Sequence, residues 1–163
     1  NFGKPLQNIC SAIKWLAEKY IDLIEFVIPV HLNPHVQSVV YSKLGSLSNV
    51  DLKPPMDYWI FLSTLKSSYL VLTDSGGVQE ETCSFGVPAL VLREKTDRQE
   101  SVKAGFARVV GTDPAVIIKN VEELLFDESK YKRMKALYNP YGDGKASERI
   151  HDILNDLVKR RQI

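Results

Sequence analysis

Long apolar runs, cysteine and an excess of charge of either sign are all scarce in this chain, and each scarcity removes a class of protein. No apolar run is long enough to cross a bilayer and no signal peptide is visible, so neither a membrane span nor a secretory leader is expected. Lys and Arg number 21 against 20 Asp and Glu, a net charge of +1, which argues against bulk binding to nucleic acid or an anionic membrane. The two cysteines, Cys10 and Cys83, have no metal-ligand spacing and fit reduced thiols in a cytoplasmic protein better than a disulfide framework. Also missing are a Ser-His-Asp set, a metal cluster and a pair of carboxylates clearly placed for acid–base exchange, so no residue is assigned a catalytic role. Neither GxGxxG nor GxxxxGK[ST] occurs, which weakens a dinucleotide reading and argues against a P-loop NTPase.

What is present is an ordinary globular composition, 44% hydrophobic and 25% charged over 163 residues, enough for one domain with a real core. Helical and strand-like stretches alternate along it. Helices are expected at 5–20, 35–45, 56–67, 76–85, 113–126, 128–138 and 144–161, and strands at 24–30, 50–52, 70–73, 89–92 and 107–111. Residues 93–100 read as a charged loop. Repeated β-α units with short links imply a doubly wound, parallel, Rossmann-like α/β sheet covered by helices. Asp113 with Pro114, and Asp127, carry N-cap chemistry, and Gly86 reads as a helix stop. The chain opens on Asn1 rather than Met and its first helix starts almost at once, so it is expected to be a piece of a longer chain or a domain lacking its partner. The C-terminal helix, 144–161, has two options: to pack on this domain or to cross to a neighbouring one.

The most informative stretch is LVLTDSGGVQEETCSFGVPALVL, residues 70–92. An apolar strand runs into a polar, Gly-rich turn, a helical segment and a second apolar strand. Such a turn aims backbone N–H groups and the positive end of a helix at one spot, an arrangement that suits a phosphate. In an open α/β sheet it also lies at the carboxyl end of a strand, where ligands bind. The bland alternative is a tight turn that needs glycine's backbone freedom. Six residues after Ser75, Glu81 could accept hydrogen bonds from both ribose hydroxyls; equally it could be a solvated helix glutamate, the reading favoured for Glu80.

Arg93, Glu94, Arg98 and Glu100 follow the next strand, so an arginine there could reach a phosphate or a sugar, or merely be solvated. His31, in Pro29-Val30-His31-Leu32-Asn33-Pro34, sits at a strand's carboxyl end and is either a ligand contact or a structural histidine. His35 and His151 read as surface residues, and Trp15, Trp59 and Phe61 as core or interface residues. Asn139 to Gly144 (NPYGDG) forms a turn cluster before the last helix.

Taken together, PVHLNP (29–34), LTDSGGVQEE (72–81), FGVPALVLREKTDRQE (85–100), AGFARVVGTD (104–113) and NPYGDGKASERI (139–150) resemble the non-hydrolysing UDP-N-acetylglucosamine 2-epimerases. The resemblance covers essentially the whole chain, with several motifs in order and correctly spaced. It implies the C-terminal, UDP-binding half of a two-domain glycosyltransferase-B-like fold, with an N-terminal partner domain absent. That family interconverts UDP-GlcNAc and UDP-ManNAc by eliminating UDP across C1–C2 and adding it back to a 2-acetamidoglucal on the other face. Neither a metal nor a nicotinamide cofactor is implied, and UDP-GlcNAc is also an allosteric activator of bacterial members.

Carried over by residue, Ser75, Gly76 and Gly77 would hold the diphosphate, Glu81 the ribose, and Arg98 (in Thr96-Asp97-Arg98) the sugar or phosphate. Phe61 falls where the family packs a residue by the uracil. His31 matches a histidine tied to the cleft and the allosteric ligand. Two positions depart from the family. Met56 stands where relatives often have glutamine near the uracil, which leaves the base contact to backbone, and Gln99 stands where many have proline. UDP and UDP-GlcNAc are the implied partners, with a homo-oligomer typical of the family and envelope polysaccharide sugars the usual destination of its product. Because the family's proton-handling acidic residues belong to the other domain, the chain alone is expected to bind UDP weakly and turn nothing over. Two other readings stay open: the UDP-sugar donor domain of a glycosyltransferase, and a non-catalytic remnant.

Overall fold

Short aliphatic runs alternating with amphipathic segments fold into parallel strands carried between helices. The structure, a computed structural model, describes residues 2–135 and 138–161. In chain order the elements are α1 (Lys4–Lys19), β1 (Phe26–Pro29), α2 (Pro34–Leu44), β2 (Val50–Lys53), α3 (Tyr58–Ser67), β3 (Val71–Thr73) and α4 (Gly76–Phe85). There follow β4 (Ala89–Val91), α5 (Gln99–Lys103), β5 (Ala107–Val109), α6 (Pro114–Phe126), α7 (Glu128–Met134) and α8 (Ala146–Arg161). All strand pairing is parallel, in two hydrogen-bonded groups: β1 with β2 (Phe26 opposite Val50), and β3-β4-β5 with β4 central (Val71 opposite Ala89, Ala89 opposite Ala107).

The centre of the fold is β4, whose three residues are all buried. Side chains alternate across a strand, so Leu90, with Leu92 just beyond, joins a large core that includes Ile13, Leu16, Leu44, Ile117 and Leu124. Ala89 and Val91 face a second, smaller cluster with Ala107, Val102 and Val109. Helices fall into two matching sets: α1 packs on α2 and α6, while α4 packs on α3 and α5. Burial on both faces is what makes the sheet doubly wound.

Local chemistry ends the helices where the sequence expects. Asp113 accepts hydrogen bonds from the amides of Ala115 and Val116 ahead of Pro114, and Asp127 accepts from Lys130 N–H. Gly86 caps α4 in the left-handed region (φ 67°), which a residue with a Cβ adopts only with strain.

Several expectations need correcting. The strand expected at 24–30 is only Phe26–Pro29, because the ladder starts where Phe26 N–H meets the Asn49 carbonyl. The charged loop ends in an unforeseen one-turn helix, α5, too short for helical periodicity to reveal. The helix expected at 128–138 stops at Met134, and its positions 136 and 137 lie outside the described residues. Trp59 is not core: it is 75% exposed. Trp15 is partly exposed, edge-on to Tyr20 with the Lys19 ammonium over its ring. Both cysteines are free and buried, and burial pushes each thiol above its ordinary value. No described helix is long and apolar enough to cross a membrane.

Charge ties the layers together at the end of α6. Glu123 accepts from Arg108 on β5 at 2.8 Å and pairs with Lys130 at 3.1 Å, and these partners, Arg108 foremost, hold its carboxyl below the ordinary carboxylate range. A carboxylate whose folded pKa is depressed stabilises the fold above its unfolded pKa, and loses that contribution as pH falls through the folded value. The melting temperature of Glu123→Gln is therefore expected to lie below wild type at neutral pH and to converge with it on acidification through and below the ordinary carboxylate range. A gap that stayed constant through the acid range would assign no role to the charge.

Candidate functional site

Parallel strands put all their carboxyl ends on one edge, and β3, β4 and β5 deliver three loops there. After Thr73 the chain needs only Asp74 and Ser75 to enter α4 at Gly76. Thr73 Oγ1 accepts Ser75 N–H at 3.0 Å and shapes that turn. Ser75 is the N-cap in extended conformation, yet its hydroxyl makes no cap bond to the helix amides. The first amides of α4 thus face outward with the hydroxyl beside them, at the positive end of the helix.

Over this turn lies Arg98. A Cβ added to Gly76 would sit 3.7 Å from the Arg98 guanidinium carbon. Arg98 Nε, screened from solvent, is ion-paired with Glu80 on α4, and its Nη1 holds Asp97 at 2.7 Å. Glu80 foremost, then Asp97, pushes the guanidinium above its ordinary value. Glu80, its side chain 40% exposed, is thus also the ion-pair partner of the candidate phosphate arginine.

Glu81, one residue on, points to α3 instead. The Tyr58 phenol lies beside its carboxylate, which raises the phenol above its ordinary value. This brings the start of α3 beside α4, with Phe61 one turn after Tyr58 and partly buried. Met56 precedes that helix and its sulfur accepts from Thr64 at 3.9 Å. His31 follows β1, is exposed, and accepts Asn33 N–H on Nδ1 at 3.0 Å, which leaves its proton on Nε2. The structure so gathers Ser75, Gly76, Gly77 and Arg98, joins Glu81 to them through α4, and hydrogen-bonds His31 within its own loop.

The Arg98 loop is held from both sides. Inside, Thr96 Oγ1 donates to Gln79 Oε1 at 2.8 Å and accepts Arg98 N–H at 3.1 Å. Outside, Tyr141 from the NPYGDG turn donates to Ser101 Oγ at 2.9 Å and accepts Ser101 N–H, while Ser101 Oγ donates to the Arg98 carbonyl. Asn139 of the same turn donates to Ser84 Oγ on α4 at 2.8 Å. Sequence reasoning missed Gln79, Tyr58 and Tyr141. A usable signal existed for the first: Gln79, Thr82 and Cys83 share the i, i+3, i+4 face that α4 buries.

A model of the family described as UDP-N-acetylglucosamine 2-epimerase matches residues 1–155. The UDP-N-acetylglucosamine 2-epimerase of Escherichia coli K12 is 45% identical over 156 residues, 96% of this chain and 41% of that protein. That of Campylobacter jejuni is 46% identical over 94% of this chain and 40% of its own length. Among solved structures, the UDP-GlcNAc 2-epimerase of Neisseria meningitidis bound to UDP-GlcNAc superposes with a TM-score of 0.91 at 41% identity, over 96% of this chain and 42% of that one. The S. aureus MnaA-UDP structure gives 0.91 at 43% identity, over 98% and 42%. The chain thus spans about two fifths of the length of the relatives it matches, and over that span it belongs to the UDP-N-acetylglucosamine 2-epimerase family.

Proposed function

We propose that the chain is the UDP-holding part of an enzyme that interconverts UDP-GlcNAc and UDP-ManNAc, and that alone it binds UDP weakly and turns nothing over. Ser75, Gly76 and Gly77 hold the diphosphate, Arg98 the phosphate or sugar, and Glu81 the ribose. Met56 and Phe61 border the uracil, and His31 faces the cleft or an allosteric ligand. Relatives more than twice as long, and relatives solved with UDP or UDP-GlcNAc, support this reading. In it an N-terminal domain closes the cleft, α8 crosses to that domain, and the assembled enzyme is a cytoplasmic homo-oligomer serving envelope polysaccharide synthesis.

One observation carries the proposal. Neither Gly76 nor Gly77 has a backbone that needs glycine, since both are helical and no left-handed φ occurs there. Packing does not need it either: a Cβ at Gly77 would meet only Ser75 Oγ at 4.0 Å, and at Gly76 an ordinary contact. Glycine within a helix costs about 0.5–1 kcal/mol relative to alanine. What the two glycines leave is bare backbone at a helix N-terminus, which a diphosphate can approach closely enough to take the N–H groups.

Local charge accounts for weak binding in isolation. Glu80 and Asp97 both hold Arg98, so an incoming diphosphate competes with carboxylates already seated there. Glu80 is tied to Arg98, and Glu81 lies beside the Tyr58 phenol. Proton transfer from a sugar C2 needs a base within hydrogen-bond reach.

Gly77→Ala is expected to stabilise the chain by up to about 1 kcal/mol in thermal unfolding while weakening UDP in calorimetry. A variant that gained stability and kept its UDP affinity would remove the backbone-approach argument. Calorimetric titration of UDP should show saturable binding that Glu81→Ala weakens, and the purified chain should leave UDP-GlcNAc unchanged at high protein concentration. Turnover by the pure chain would sink the claim that the other domain supplies the base.

A further inference from the structure

Gln79 is fully buried, with 0% of its surface exposed, whereas Glu80 and Glu81 next to it are only partly buried. A buried amide left unpaired is costly, so where its two ends go is informative. Its Nε2 donates to the Ser75 carbonyl at 3.1 Å, an oxygen that also takes Gln79 N–H at 3.4 Å. At the other end Oε1 accepts the Thr96 hydroxyl, and Thr96 Oγ1 accepts Arg98 N–H. Thr96 is itself only 7% exposed.

These bonds run in one direction. A threonine hydroxyl has a single proton, and giving it to Gln79 leaves Thr96 an acceptor for Arg98. The amide therefore cannot flip: reversal would set its oxygen against the Ser75 carbonyl. The carbonyl of Ser75 and the N–H of Gly76 belong to one planar trans peptide. Clamping that oxygen inward aims the N–H the opposite way, out of the helix N-terminus, while the Arg98 side chain lies over the Cα of the same residue.

From this geometry we infer that Gln79, through Thr96, is a positioning residue that sets the Gly76 amide and the Arg98 loop in register as one diphosphate-binding unit. The inference rests on the proposed UDP site and adds residues that touch no ligand. It separates the phosphate end of the site, which the relay organises, from the nucleoside end at Tyr58, Phe61 and Glu81, which it does not reach. Thr96 and Gln79 are 17 residues apart in sequence and lie on different β-α units, so the relay is a buried side-chain tie between two units that the β3–β4 pairing already sets side by side.

The test compares UDP and uridine binding, by calorimetry and by NMR titration respectively, in the wild-type chain and in Gln79→Met, Thr96→Val and Thr96→Ser. Amide NMR spectra establish that each variant is folded, and Thr96→Val, which swaps only a hydroxyl for a methyl, decides the matter if Gln79→Met does not fold. Gln79→Met and Thr96→Val are expected to lose about tenfold in UDP affinity, roughly the effect of one misplaced hydrogen-bonding group. Uridine binding should stay unchanged, and Thr96→Ser, which keeps the hydroxyl, should match wild type. A folded Thr96→Val that binds UDP like wild type overturns the positioning role and leaves the nucleotide site standing. Equal losses of UDP and uridine overturn it too, as general loosening. A folded wild-type chain that binds neither ligand overturns the nucleotide reading itself, and the inference with it.

Discussion

A parallel sheet whose middle strand is buried on both faces has no freedom over where its loops emerge. Leu90 commits one side of β4 to the core shared by α1, α2 and α6, and Ala89 with Val91 commits the other to β5 and its neighbours. A one-residue slip would exchange the two faces, so register and orientation are settled together. With strands of only three or four residues, the loops after β3 and β4 begin side by side. The turn at Ser75 and the loop at Arg98 are neighbours because β3 and β4 are, not because of any attraction between them.

What that arrangement leaves undetermined is angle and reach, and here polar chemistry takes over. Arginine and the helix N-terminus both favour an anion, and the chain supplies carboxylates of its own beside them. Glu80 and Asp97 hold the guanidinium, and Tyr58 lies beside Glu81. Exposed pairs of this kind contribute little to stability, but they keep long side chains ordered until something better placed displaces them. The buried bonds of Gln79, Thr96 and Ser101 are different in kind. They lie out of water, so each donor and acceptor must be matched.

Legibility in the sequence followed the range of the interaction. Asp113, Asp127 and Gly86 act on residues one to four positions away, and their caps could be read from residue type alone. The Gly-rich turn and its place at a strand's carboxyl end were equally local. Tyr58 with Glu81, Gln79 with Thr96 and Tyr141 with Ser101 join residues 17 to 40 positions apart, and nothing in either partner's neighbourhood announces the other. Gln79 was further hidden by its company, since Gln-Glu-Glu on a helix reads as a solvated run. Helix α5 was illegible for another reason: five residues are too few to show a period of 3.6.

The last helix carries a different kind of consequence. Ile150, Ile153, Leu154, Leu157 and Val158 recur at helical spacing along α8, and each is more than half exposed. The helix is anchored at its start by Arg149 gripping Asp143 through two hydrogen bonds of 2.9 and 2.6 Å. An aliphatic stripe held rigidly in water lowers its free energy by meeting any apolar surface. The solubility of the chain is therefore expected to depend on the sixteen residues of α8, which lie apart from the Gly-rich turn.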